Sequence, residues 1–265
     1  KDVDHLNRLL QAVDKAKDLV VIGGGFIGVE FADKCRKREG LNVTIIELLP
    51  HCLFLACDEE SCIPVEEKLK ENGVRVLTNT KTQAIIGNGQ VEHVQLANGE
   101  KLKADIVITG IGCKPNTELA QNAGLEVDER FGIYVDESMR TSDPNIFAAG
   151  DCTQKKDFFT GGPSRLMLAS IANNESRVAG ANLFTLRRRN ERPIGIFFTV
   201  VGDLAVGSAG MTEKAAQEAG FDIGTGSVSS PDRYPGGMPG MINMSVKLIF
   251  SKENGAIIGG HICGG

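Results

Sequence analysis

The chain is 265 residues long, 42% hydrophobic and 24% charged, with 32 glycines against 9 prolines. That is length and apolar content enough for more than one core, and the glycine excess fits an α/β protein with many tight turns. A net charge of −5 and a pI of about 5.5 leave no electrostatic footprint for nucleic acid, and no run approaches the ~20 apolar residues of a membrane span.

In chain order, Lys1-Asp2-Val3-Asp4-His5 leads into an expected amphipathic helix with Leu6, Leu9, Leu10 and Val13 at helical spacing. Leu19 to Ile22 is a β-branched apolar run, as a buried parallel strand needs. Gly23-Gly24-Gly25-Phe26-Ile27-Gly28 follows as a G-x-G-x-x-G, then a helical pattern from about Phe26 to Arg38, a stop at Gly40, and a second strand from Val43 to Ile46 ending at Glu47. Strand, glycine turn, helix, strand and acid together are the dinucleotide-binding βαβ fingerprint in its required context. Gly23 permits the tight turn, Gly25 lets a pyrophosphate approach the backbone, and Gly28 lets the helix pack closely. The helix N-terminus offers free N–H groups and partial positive charge to phosphate. Glu47 can accept hydrogen bonds from a ribose diol and would repel a 2′-phosphate, which favours NAD(H) over NADP(H).

A helix is expected from Asp58 to Asn72, with Ile63, Val65 and Leu69 inward and Glu66, Glu67, Lys68 and Lys70 outward, then a third parallel strand from Val74 to Leu77. Gly87-Asn88-Gly89 and Asn98-Gly99 are hairpin signals and predict a small antiparallel meander. Ala104 to Thr109 returns to a buried strand and stops at Gly110-Ile111-Gly112. Past Thr117 come short strands at Leu125–Val127 and Gly132–Asp136, and a strand from Ile146 to Asp151 ending in small residues and an acid. A long helix is expected from about Leu168 to Arg188, where Arg187-Arg188-Arg189 reads as cations at a helix C-terminus. From Pro193 the style becomes α+β: strands at Phe197–Val201, Leu204–Ser208 and Ile242–Ile249, and a helix at Thr212–Ala219 capped by Thr212.

The motifs GGGFIGVE, TGIGCKPN, TSDPNIFAAGD and LASIANNESRVAGANL, in this order, resemble those of the pyridine nucleotide–disulfide oxidoreductases over essentially the whole chain. The closer resemblance is to the branch of NADH oxidases and coenzyme A–disulfide reductases. It implies an α/β fold: a Rossmann-like NAD-binding domain inserted in an FAD-binding domain, followed by an α+β dimerisation domain. On that pattern residues 1–116 would be the NAD(H) domain, 117–192 the returning half of the FAD domain, and 193–265 an incomplete dimerisation domain forming a homodimer. The chain opens without methionine and closes just after a strand, and is expected to be part of something longer, without the branch's first FAD fingerprint and its redox cysteine.

The resemblance implies roles by residue. Asp151 would hold the ribityl chain of FAD, and Leu168, Ala169 and Ser170 would present N–H groups to the flavin. Glu30 would lie near the nicotinamide–flavin junction, and Gly110, Ile111 and Gly112 would lie under the nicotinamide. Tyr234-Pro235-Gly236-Gly237 resembles a loop of the dimer domain and reads equally well as a surface turn. The implied activity is FAD-dependent NADH:acceptor oxidoreduction, with a disulfide, a sulfur species or dioxygen as acceptor. The alternative is a non-catalytic NAD(H)-binding, redox-sensing module.

Seven cysteines without framework spacing, and no signal peptide, point to a reducing cytosol. Cys52, Cys57 and Cys62 repeat a C-x4-C spacing but follow Glu47, where the family places no redox chemistry, and no second pair completes a zinc set. They read as packing or surface residues, Cys113 as structural, and the histidines at 5, 51, 93 and 261 as unconnected to catalysis. No catalytic side chain and no metal site is assigned.

Overall fold

The structure is a computed structural model describing residues 2–265; Lys1, the first residue of the expected NAD(H) domain, lies outside them. Two compact units are formed, one by the chain up to Ile111 together with Ile196–Gly265, the other by Gly112–Gly195.

The first unit opens with helix α1 (Val3–Val13), N-capped by the Asp2 carboxylate on His5 N. Only Val13 of this helix is buried. Strand β1 (Asp18–Ile22), helix α2 (Phe26–Cys35), strand β2 (Asn42–Ile46), helix α3 (Glu59–Glu71) and strand β3 (Val74–Leu77) follow. Strands β4 (Thr82–Ile86), β5 (His93–Leu96) and β6 (Lys101–Lys103) make an antiparallel meander, and β7 (Ile106–Thr109) returns to the parallel sheet. The sheet order is β3-β2-β1-β7. Alternation along central β1 serves two cores. Leu19 and Val21 pack with Val29, Ala32, Val65 and Leu69 of the helices, and Val20 packs with Val94, Leu96 and Leu102 of the meander.

Helix α3 has the expected bounds, flanked by Asp58 and Asn72, but a rotated inner face. Cys62, Val65, Glu66 and Leu69 are buried and Ile63 is exposed. Positions 62, 65, 66 and 69 share a stripe at helical spacing, and Glu66 is admitted because its carboxylate accepts Cys52 N at 2.9 Å.

The second unit holds α4 (Glu118–Asn122), the short pairs β8 (Val127–Asp128) with β9 (Gly132–Ile133) and β10 (Lys155–Lys156) with β11 (Pro163–Ser164), and α5 (Ala169–Asn182). Met139, Val178 and Ala179 form its core. The run from Ile146 that was expected as a strand makes a single isolated bridge, Phe147 with Arg140, and so no ladder. Helix α5 stops six residues short of Arg188 because buried Asn182 turns the chain: its Oδ1 accepts from Arg187 N and Arg188 N, and its Nδ2 donates to Arg188 O.

Residues from Ile196 rejoin the first unit as β12 (Ile196–Val201), β13 (Leu204–Gly210), α6 (Glu213–Glu218), β14 (Ile223–Pro231), β15 (Asn243–Ser251) and β16 (Ile257–Gly264). The sheet is antiparallel, in the order β12-β13-β16-β15-β14. Its inner face packs on α2 and α3, and Val201, Leu204, Val206 and Cys263 join their core. Its outer face leaves Ile196, Phe198, Val228, Leu248 and Ile262 exposed. Thr212 caps α6 as expected, its hydroxyl accepting from Ala215 N.

Candidate functional site

The glycine motif lies where β1 passes into α2. Gly23 adopts φ +102°, and a Cβ there would sit 2.6 Å from Gly110 O at the end of β7. A Cβ on Gly28 would strike Gly23 O. Gly24 is walled by Cys52 Sγ, 2.7 Å from where its Cβ would be, and by Glu47. Gly25 differs: a Cβ there meets nothing within 4 Å. The motif thus packs its first, second and last glycines against protein and opens its third to free space. Gly25 is the N-cap of α2 and has no side chain to cap it. Val29 N makes the first helical bond, to Gly25 O, and the N–H groups of Phe26 and Ile27 meet no acceptor among the described residues. Unpaired donors on a ten-residue helix facing open space are what a pyrophosphate requires.

Glu47 closes the other side of this turn. Its Oε2 accepts Gly24 N at 2.5 Å and its Oε1 accepts Leu49 N at 2.7 Å. The acid therefore holds the glycine turn in shape, and each oxygen keeps a lone pair for a further donor. Leu53 N donates to Gly24 O at 2.8 Å, so the loop after Glu47 also grips the turn. Sequence spacing gave no sign of these bonds, because they depend on the path of that loop.

Glu30 accepts from Thr199 Oγ1 at 2.9 Å, and Phe26 stacks on Phe197 at 5.2 Å between centroids. Helix α2 is thereby tied to β12. Gly110 N donates to Ile22 O at 2.7 Å, while Ile111 is 75% exposed and Gly112 takes φ +96° with open space about it.

In the second unit Gly150 takes φ +89° and Asp151 stands on the turn that follows, exposed. Helix α5 starts from Leu168 without a side-chain cap, and Ala172 N makes its first bond, to Leu168 O. Ala169 and Ser170 are exposed, so this N-terminus also presents unpaired N–H groups. A free carboxylate and a bare helix start suit a ligand with hydroxyl groups and an electron-rich ring edge.

The cysteines after Glu47 are thiols in a core. Cys52, Cys57 and Cys62 are free and fully buried. Burial, then the Glu66 and Glu47 carboxylates, pushes the Cys52 thiol up to about 12. Burial likewise pushes Cys57 up to about 11 and raises Cys62. A thiol held protonated is no nucleophile. Among the described residues no group of three His, Cys, Asp or Glu side chains could hold a metal, and no helix is long and apolar enough to cross a membrane.

Comparison with known proteins shows the family to which the chain belongs. Residues 1–176 match the family model described as pyridine nucleotide-disulphide oxidoreductase, and residues 196–265 match that family's dimerisation domain. An NADH oxidase of Methanocaldococcus jannaschii is 34% identical over 94% of this chain and 54% of its own length. A CoA-dependent NAD(P)H sulfur oxidoreductase of Pyrococcus furiosus is also 34% identical, over 93% of this chain and 55% of its own. Among solved structures, an NAD-dependent persulfide reductase from A. fulgidus superposes with a TM-score of 0.93 at 35% identity, over 99% of this chain and 48% of that one. The chain spans about half the length of the relatives it matches.

Proposed function

Because the chain belongs to the pyridine nucleotide-disulphide oxidoreductase family, we propose that it is part of an FAD-dependent NADH:acceptor oxidoreductase. The observation that carries this reading is the glycine turn: Gly25 opens on free space, the α2 N–H groups are unpaired, and Glu47 stands beside them. In this reading the α2 N-terminus binds the pyrophosphate of NADH and Glu47 accepts from the adenosine ribose. Gly110, Ile111 and Gly112 border the nicotinamide, with Glu30 nearby, held by Thr199. Asp151 accepts from the ribityl chain of FAD, and the N–H groups at Leu168, Ala169 and Ser170 meet the flavin's pyrimidine edge.

The chemistry that FAD supplies when bound is hydride acceptance from nicotinamide and delivery of the electrons onward. The chain's residues supply position and electrostatics, and the helix start at Leu168 favours negative charge near it. The acceptor is a disulfide such as that of coenzyme A, a sulfur species or dioxygen. The relatives named for NADH oxidation and for sulfur or persulfide reduction support that range. Residues 1–116 act as the NAD(H) domain, 117–192 as half of the FAD domain, and 193–265 as the dimerisation domain. The apolar outer face of the five-stranded sheet fits pairing with a second copy. Seven free cysteines fit the reducing cytoplasm.

The test is a visible absorption spectrum of the purified chain after incubation with FAD and removal of unbound flavin, before and after anaerobic NADH. Flavin bands that bleach are the expected result. A chain that binds NADH but stays colourless would instead favour a nucleotide-binding, redox-sensing module.

A further inference from the structure

Under the Asp151 turn lies a buried ion pair that none of the roles above uses. Lys155 on β10 and Glu175 on α5 approach to 3.5 Å with side chains 2% and 1% exposed. Both point at one residue. Glu175 Oε2 accepts Gly150 N at 2.8 Å, and Lys155 Nζ donates to Gly150 O at 2.7 Å. Thr153 Oγ1 donates to Gly150 O at 2.8 Å and lies 3.2 Å from Glu175 Oε2. Gly150 is left-handed, and a Cβ there would stand 3.5 Å from the Ala172 methyl of α5. Both hydrogen-bonding groups of the residue before Asp151 are thus held by opposite charges, one of them carried on α5.

Stability alone is a poor account of this arrangement. Taking two charges out of water is repaid only when every lone pair and proton is partnered. Here Glu175 Oε1 is buried without a partner. A methionine and a leucine would fill the volume at less cost. What an apolar pair could not do is fix the peptide of Gly150, and through Glu175 fix it to the helix whose first N–H groups stand at Leu168–Ser170.

We propose that Glu175, its charge balanced by Lys155, is a positioning residue that sets the Asp151 turn against the start of α5, and so preorganises the two flavin contacts of this unit relative to each other. The inference rests on the proposed FAD reading for its purpose, but not for its geometry. Both contacts lie on one rigid assembly, so a ligand touching them meets a spacing fixed before it arrives.

Two double variants test it. Lys155→Met with Glu175→Leu keeps the volume apolar and orphans Gly150 N–H. Lys155→Met with Glu175→Gln removes the charges but restores an acceptor for that N–H. The first should speed hydrogen exchange at the Gly150 amide and raise the FAD dissociation constant, each by about tenfold, the worth of one lost charge-assisted bond. The second should bring both back to within about threefold of wild type, because the neutral acceptor keeps most of that bond. NADH binding at the glycine turn should be unchanged in both, which reports that the first unit is folded, and wild-type exchange at the α5 amides around Val178 reports that the second is. A leucine variant with wild-type Gly150 protection and wild-type FAD affinity overturns the proposal. If that variant does not fold, the glutamine variant decides alone: retained Gly150 protection supports the proposal, and its loss overturns it. If this chain, with half of the expected FAD domain, takes up no FAD, the exchange rates decide alone: faster Gly150 exchange in the leucine variant supports the proposal, and wild-type exchange overturns it.

Discussion

Gly23 and Gly25 stand two positions apart in one motif and answer to different constraints. Gly23 is left-handed and packed against Gly110 O, so Gly23→Ala should cost more than about 2 kcal/mol, by backbone strain and overlap together. Gly25 has φ −70° and ψ −178°, open to any residue, with nothing near its missing side chain. Gly25→Val should leave stability within about 0.5 kcal/mol of wild type while removing detectable NADH binding. Urea melts and fluorescence titration on the same two samples separate the effects, and retained NADH affinity would mean that the motif is only a turn. Glu47→Arg should weaken NADH and strengthen NADPH binding, each by about tenfold or more, as charge at the 2′ position reverses. Unchanged affinities would take Glu47 off the ribose. Since Glu47 also holds Gly24 N and Leu49 N, the same change should lower the melting temperature. The thiols divide as sharply: timed alkylation should mark exposed Cys113 first and leave Cys52, Cys57 and Cys62 unmodified until the chain unfolds.

At the scale of elements, local signals made some segments legible and long-range pairing hid others. Strand β1, helices α2 and α3 and the meander hairpins were readable because their evidence sits within a few residues: apolar periodicity, and turn glycines such as Gly99 at φ +90°. Strand β14 gave no such signal. Its IGTGSVSSP is rich in glycine and serine, yet all nine residues pair with β15, and Gly224 is required there because the Phe250 ring lies across it. The buried charges were equally hidden. Lys247 on β15 lies 3.0 Å from Asp58 and Glu60 and 2.6 Å from Glu213, and His261 on β16 lies 3.2 Å from Asp58. Those residues come from distant stretches that only the folded sheet brings beneath α3. Removing the cation in Lys247→Met leaves buried Asp58 with only the His261 ring beside it and should cost about 1–3 kcal/mol in denaturant unfolding. Burial pulls the Asp58 carboxyl up, but the His261 ring and the Lys247 ammonium outweigh it and hold it below its ordinary 3.8. A depressed folded value contributes stability that is full above about pH 4 and is lost as the pH falls through the lower value. Melting temperatures followed downward from about pH 6 should therefore fall less steeply in Asp58→Asn than in wild type.

On the scale of the whole molecule, the outer face of the five-stranded sheet is an apolar surface that the described residues leave open. Ile196, Phe198 and Val200 on β12 continue across Ala205 and Gly207 to Ile262, Val246 and Val228, an apolar strip whose middle is made of small residues. If the sheet pairs with a second copy as proposed, Phe198→Asp should halve the mass seen by sedimentation equilibrium, and an unchanged mass would place the interface elsewhere. The sheet was legible as a change of style near Pro193. That its inner face shares a core with α2 and α3 was not, because no local pattern names a partner 169 positions away, as in the Glu30–Thr199 bond. The grip of Gly110 on the glycine turn has a consequence for biosynthesis. Gly110 emerges from the ribosome 87 positions after Gly23. A nascent chain that has already formed β1, α2 and β2 has the motif, but not the wall that shapes it. If the turn binds NADH as proposed, capture should wait for β7 to dock. A chain stalled before Ile106 would then carry the whole fingerprint and bind weakly, so nucleotide binding during synthesis would read out how far this unit has been made.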